Sequence, residues 1–276
     1  MKYCVIGCPI GHSLSPIIHK EISRIIGIDF DYTTQLVMPE NLENDIINLK
    51  NNGFSGFNVT IPHKINIIPY LNSLTDSANL IQSVNTVKIK KGDLIGHSTD
   101  GIGFHKDFIR VFGTDFANAK VCILGSGGAA RAIIHNILAD NPKKVYIVAR
   151  DVTKANSLRI NSACVPCDYN NFRDYLGSCD IVINSTSVGM WPNIEDSLLS
   201  KEDFNSNMLV YDLIYNPKET LFLKNAKLKN AAISHGFGML ICQAIAAQEF
   251  WQDINLAEIT NEVYKACIGV SNGKKS

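Results

Sequence analysis

The sequence predicts an α/β protein of two open sheets, and three observations carry that expectation. Strand-like and helix-like segments alternate almost throughout, as they do where helices cover a sheet. A short apolar run, Val121-Cys122-Ile123-Leu124, passes directly into the glycine-rich turn Gly125-Ser126-Gly127-Gly128-Ala129-Ala130-Arg131 and then into an apolar helix. Beyond Gly238 the pattern is purely helical, and the first sheet is the one short of covering helices.

In the first third, residues 3–6, 30–37, 54–59 and 84–89 read as strands. Residues 15–26 and 41–51 read as helices, the first expected to open with Ser15 as N-cap and Pro16 at its first helical position. Pro62 has no backbone N–H, so the strand before it must stop there. A helix over 103–112 is expected to lead into the second half. There the strands fall at 121–124, 144–149, 181–183, 209–211 and 231–233, and Pro142 ends the helix that follows the glycine turn. Two helical segments fill 238–267. The expected division is a discontinuous first domain, residues 1–102 with 237–276, and a Rossmann-type domain over 103–236.

Composition narrows the function. Hydrophobic residues make up 46% of the 276 and charged ones 19%, ample for buried cores. Lys+Arg and Asp+Glu each number 26, so bulk charge recruits neither nucleic acid nor an anionic membrane. No apolar run approaches the roughly 20 residues that span a bilayer. The N-terminus reaches a Gly/Pro segment too early for a signal peptide, and the eight cysteines form no framework. A cytoplasmic protein with reduced thiols is expected. Cys164-Val165-Pro166-Cys167 lacks the helix start of a redox motif and the second pair of a zinc site, so two half-buried thiols are expected there. The seven histidines make no ligand-spaced group, and no metal is expected.

The turn Gly125, Ser126, Gly127, Gly128, Ala129 has the form that brings backbone N–H groups to a pyrophosphate at a helix N-terminus. The end of the next strand selects the cofactor. Arg150 can pair with a 2′-phosphate and stack on adenine, and Lys154 adds charge one helical turn later. NADP is therefore expected. Asp151 keeps NAD possible, because a carboxylate there can repel the phosphate or hold an unphosphorylated ribose.

The substrate chemistry lies in the first half. Asn58-Val59-Thr60-Ile61-Pro62-His63-Lys64 places polar side chains at the carboxyl end of a strand, where open α/β sheets bind ligands. A lysine held there can carry a proton to a substrate. Ser13 and Ser15 follow the first strand and can offer hydroxyls, beside a helix N-terminus, to an anionic group. Asn85-Thr86 and Gly96-His97-Ser98-Thr99-Asp100-Gly101 supply further polar groups.

Taken together these segments resemble the shikimate dehydrogenase family. The matching pieces are G-C-P-I-G-H-S-L-S-P, N-V-T-I-P-H-K, V-N-T, T-D-G-I-G-F, G-S-G-G-A-A-R-A, N-S-T-S-V-G-M, D-L-I-Y-N-P-K-E-T and G-F-G-M-L followed by Gln243, in the family's order. The resemblance implies reversible NADPH-dependent reduction of 3-dehydroshikimate to shikimate, on the route to aromatic amino acids. It implies Ser13 and Ser15 on the substrate carboxylate, and Asn58, Thr60, Asn85, Tyr215 and Gln243 on the ring hydroxyls. Lys64 and Asp100 would be the catalytic pair, with Asp76, Leu213 and Gly236 near the nicotinamide. Three places depart from the family pattern: Gln82-Ser83 before Val84-Asn85-Thr86, Ser98 before Thr99-Asp100, and Ala149 and Asp151 around Arg150. The alternatives are a quinate/shikimate dehydrogenase with relaxed cofactor use and a non-catalytic metabolite sensor of the same fold. A small-molecule substrate and a monomer or homodimer are expected.

Overall fold

A computed structural model describes residues 1–271, which form two compact units. The first comprises Met1–Gly103 and the segment from Leu240 onward; the second is Phe104–Met239.

The first unit alternates β1 (Lys2–Gly7), α1 (Ser15–Ile26), β2 (Asp31–Leu36), α2 (Leu42–Asn51), β3 (Gly56–Val59), α3 (His63–Asn66), β4 (Ser73–Leu74), α4 (Asp76–Ile81), β5 (Thr86–Lys90), β6 (Asp93–His97) and α5 (Asp100–Phe112). Its sheet runs β2-β1-β3-β5-β6-β4, parallel from β2 to β3 and antiparallel through β3, β5 and β6. Leu42, Ile46 and Leu49 of α2 pack with Cys4, Ile6, Phe57, Val59 and Val87 in one core cluster. A second cluster joins Tyr3 and Phe30 to Ala247 and Trp251, with Tyr3 stacked on Trp251 at 4.4 Å. The indole of Trp251 donates to the Val87 carbonyl at 2.9 Å, which ties the chain's return to the middle of the first sheet. The expectation that α1 opens on a serine cap fails. Leu14 occupies the N-cap without a side-chain bond, and Ser15 is already helical.

The second unit runs β7 (Lys120–Leu124), α6 (Gly128–Ala139), β8 (Lys144–Val148), α7 (Val152–Asn156), β9 (Cys164–Cys167), α8 (Arg173–Leu176), β10 (Ile181–Asn184), β11 (Leu209–Asp212), α9 (Leu221–Lys227) and β12 (Ala232–His235). All six strands are parallel, in the order β12-β11-β10-β7-β8-β9. Such a sheet has its switch point beside the first strand, between β7 and β10, and that is where doubly wound folds bind dinucleotides. α10 (Phe237–Gln252) and α11 (Thr260–Ser271) complete the chain. The unit boundaries fall within α5 and α10, because α5 starts at Asp100 rather than 103.

Near-continuous apolar strands are what a parallel sheet covered on both faces requires. Val121, Ile123, Val145, Ile147 and Cys164 belong to one face, and Cys122, Tyr146, Val148 and Cys167 to the other. Cys164 and Cys167 are thus buried in opposite cores, not half-buried and not facing one another. Their spacing of three along a strand dictates that outcome. All eight cysteines are free. Among the described residues no helix is long and apolar enough to cross a membrane.

Candidate active site

The carboxyl ends of β1 and β3 and the loop after β6 converge in the first unit. Lys64 sits on the one-turn helix α3, which begins as soon as Pro62 has ended the strand segment. The Val84 amide donates to the Lys64 carbonyl at 2.8 Å, fixing the backbone beneath the lysine. Its Nζ donates to Asp100 Oδ2 at 2.5 Å, with the two side chains 18% and 8% exposed. Asp100 is the first residue of α5, where a carboxylate also meets the helix dipole favourably.

Asn85 holds this pair in place. Its Nδ2 donates to Asp100 Oδ1 and to Thr99 Oγ1, both at 2.9 Å, and lies 3.3 Å from Gln243 Oε1. Its Oδ1 accepts from the Thr99 amide at 2.7 Å. Gln243 comes from α10 and is brought close because Gly103 of α5 has no side chain. A Cβ there would lie 2.6 Å from the Gln243 nitrogen. Asn58 is buried on β3, donating to the Asn85 carbonyl and to Thr86 Oγ1. Thr60 lies half-buried just beyond that strand. Ser13 is half-buried, and its Oγ accepts from the Ser15 amide at 3.2 Å. The buried Ser15 hydroxyl does not cap the helix and lies beside the Tyr32 phenol. The first unit thus brings together Lys64, Asp100, Asn85, Asn58 and Gln243 through direct or shared hydrogen bonds. Thr99, given no specific role from the sequence, engages Asn85 twice, its hydroxyl accepting from the Asn85 Nδ2 and its amide donating to the Asn85 Oδ1.

Asp76 is exposed at the start of α4 in the same unit. Tyr215, Leu213 and Gly236 belong to the second unit. The Gly236 amide donates to the Ile214 carbonyl at 3.0 Å, which joins the Leu213 loop to the end of β12. Tyr215 is half-buried in the loop after β11, and burial raises its phenol above its ordinary value.

In that unit the turn after β7 meets the requirements of a dinucleotide cradle. Gly125 has φ +118°, a conformation that L side chains rarely adopt, and a Cβ would lie 2.5 Å from Ser185 Oγ. Ser126, Gly127, Gly128 and Ala129 remain partly or fully exposed at the N-terminus of α6, whose first N–H groups face outward for an anion. No neighbouring atom comes within 4 Å of a Cβ placed on Gly127. Arg150 and Lys154 are exposed beyond β8. Asp151 is the N-cap of α7, its Oδ1 accepting from the Thr153 amide at 2.9 Å and from the Thr153 hydroxyl. Those two bonds hold its carboxyl below the ordinary value. Asp151 is therefore a capping carboxylate. The neighbouring loops are braced by Asp212, which accepts from Asn184 at 3.0 Å and Thr220 at 2.6 Å. This buried network was not anticipated from the sequence. Among the described residues no group of three or more His, Cys, Asp or Glu side chains could hold a metal ion.

Two histidines of the first unit, His19 buried and His97 half-buried, carry a pH consequence. Burial pushes His19 down to about 3 and His97 down to about 4. In the unfolded chain both titrate near the ordinary value of about 6.5, so the unfolded state takes up protons first as pH falls. The stability present above that value is lost progressively on acidification. The thermal midpoint should drop from pH 7 to pH 5, and His97→Gln should shallow that slope. An unchanged slope in the variant would remove His97 from the account.

Comparison with known proteins agrees with this geometry. The family model for the shikimate dehydrogenase substrate binding domain matches residues 5–87, and that for shikimate/quinate 5-dehydrogenase matches residues 109–218. The shikimate dehydrogenase (NADP(+)) of Geobacillus sp. (strain WCH70) is 38% identical over 256 residues, covering 91% of this chain and 92% of its own. A solved shikimate dehydrogenase in complex with NADP+ is 36% identical with a TM-score of 0.87, over 97% of this chain and 95% of that one. The shikimate 5-dehydrogenase of Thermus thermophilus, solved with NADP(H) and shikimate, is 27% identical with a TM-score of 0.85, over 96% of this chain and 99% of that one. With a lysine–aspartate pair at the strand ends of one unit, a dinucleotide cradle in the other and this likeness over nearly the whole length, the chain belongs to the shikimate dehydrogenase family.

Proposed function

We propose that this enzyme catalyses the reversible, NADPH-dependent reduction of 3-dehydroshikimate to shikimate, with Lys64 and Asp100 as its catalytic pair. The observation that carries the reading is the 2.5 Å Lys64–Asp100 contact, anchored through Asn85 to Gln243. Bound NADPH supplies the hydride. The residues of this chain supply the proton and the fit. Reduction of a ring ketone leaves negative charge on its oxygen, and the Lys64 ammonium donates the proton that neutralises it. Asp100 aims that ammonium and accepts from a substrate hydroxyl. In the reverse direction the same lysine receives the proton.

Asn58, Thr60, Asn85, Gln243 and Tyr215 are assigned to the ring hydroxyls, because a polar pocket rejects analogues that leave its groups unpaired. Ser13 and Ser15 are assigned to the carboxylate. Gly125 through Ala129 would hold the pyrophosphate, and Arg150 and Lys154 the 2′-phosphate, with Asp76, Leu213 and Gly236 towards the nicotinamide. Asp151 is engaged by Thr153, which leaves the phosphate to its cationic neighbours and supports NADP. The domain roles follow: residues 1–102 with 237–276 bind substrate, and 103–236 bind NADP.

The direct test is consumption of NADPH on addition of 3-dehydroshikimate, with shikimate recovered as product. A chain that binds both without turnover would be a sensor. Ser15→Ala should raise the KM for shikimate by about 10–100-fold, the worth of a hydrogen bond to a charged group, with little change in kcat. No helix cap is lost in that variant. Unchanged substrate affinity would remove Ser15 from the carboxylate site.

A further inference from the structure

Asn58 has almost no hydrogen-bonding capacity left. Both of its Nδ2 hydrogens are used, one on the Asn85 carbonyl and one on Thr86 Oγ1, each at 3.0 Å. Its Oδ1 accepts from the Tyr32 hydroxyl at 2.7 Å. A carboxamide oxygen has two lone pairs, so no donor remains, and the one acceptor position left by Tyr32 also has the His19 ring as a neighbour. Turning the amide over would set its oxygen against the Asn85 carbonyl.

Tyr32 is itself held from behind. Its ring lies face to face with His19, the centroids 3.9 Å apart and the planes 8° from parallel. Gln252 Nε2 donates to Gln248 Oε1, so Gln248 must present its own N–H to His19 Nδ1, at 2.8 Å. His19 therefore accepts at Nδ1 and carries its proton at Nε2, which is buried beside Asn58 without a hydrogen bond of normal geometry. Burial pushes His19 down to about 3 and the Tyr32 phenol well above its ordinary value, favouring the neutral form of each. The succession Gln252, Gln248, His19 and Tyr32 links α10, α1 and β2 to one carboxamide on β3.

We propose that Tyr32 is a positioning residue which, locked against His19, fixes the Asn58 carboxamide as an acceptor only, so that this position of the site selects a ligand hydroxyl and rejects a carbonyl or a bare ring carbon. The inference rests on the functional reading above and adds to it a direction of recognition. The ring atom facing Asn58 must carry a donor, so the reacting ketone cannot be placed there.

The test compares shikimate with two monodeoxy analogues, each lacking one of the ring hydroxyls that do not react. The unsubstituted enzyme should discriminate against both. Tyr32→Phe removes one oxygen and should raise the KM for shikimate about tenfold while kcat stays within about threefold. It should narrow the discrimination against one analogue only, by about the same tenfold. The KM for NADP should not move. Ser15 lies beside the same phenol, but both analogues retain the carboxylate, so any effect there cancels in the ratio. Asn58→Leu should erase the same discrimination, and adding Tyr32→Phe to it should change nothing more. Equal narrowing for both analogues, no narrowing, or full additivity in the double variant would overturn the proposal. Absence of shikimate turnover by the unsubstituted protein would instead refute the functional reading.

Discussion

Replacing Lys64 by alanine should lower kcat for shikimate oxidation by about 10²–10⁴-fold, the usual contribution of a positioned proton donor, with KM changed only modestly. The fold should survive, because the Lys64 carbonyl still accepts from the Val84 amide and Asp100 keeps its bond from Asn85. Lys64→Arg should fail almost as badly. A guanidinium can pair with Asp100 but does not release its proton near neutral pH. Steady-state kinetics on both variants, with thermal melts as the control on folding, decides the matter. An unimpaired kcat in either would take Lys64 out of the proton path.

Removing the guanidinium of Arg150 should lower kcat/KM with NADP by about 10–100-fold, the value of one charge-assisted contact to a phosphate. The same variant should change kcat/KM with NAD little, since NAD has no 2′-phosphate to lose. The contrast depends on Asp151 being a cap. Its carboxylate is engaged by the amide and hydroxyl of Thr153, and Arg150 and Lys154 flank it as exposed cations. Were Arg150 instead only stacked on the adenine that both cofactors share, Arg150→Ala would impair NAD and NADP alike. Measuring both cofactors on the one variant separates the two roles.

Much of this was legible in the chain. Strand and helix rhythm, the glycine turn and the helical C-terminal segment anticipated two open sheets, because hydrophobic period and glycine placement are local properties. The roles of Ser15 and Asp151 were not legible. Whether a serine or aspartate caps a helix depends on where the first helical turn closes, and boundaries shift by a residue or two. Ser15 turned out helical, and Asp151 turned out to be the cap. The two-residue β4 and the short α4 carry too few residues for a periodic signal. The polar network was hidden for another reason. Asn85 and Gln243 are 158 positions apart, and nothing near either one announces the other. The orientation of Asn58 is likewise set by Tyr32, 26 residues away on a different strand.

The account stands most directly on initial rates for shikimate and quinate, each with NADP and with NAD. It predicts the highest kcat/KM for shikimate with NADP, with a loss on exchanging either partner. Quinate turned over as well as shikimate, or NAD used in preference to NADP, would contradict it.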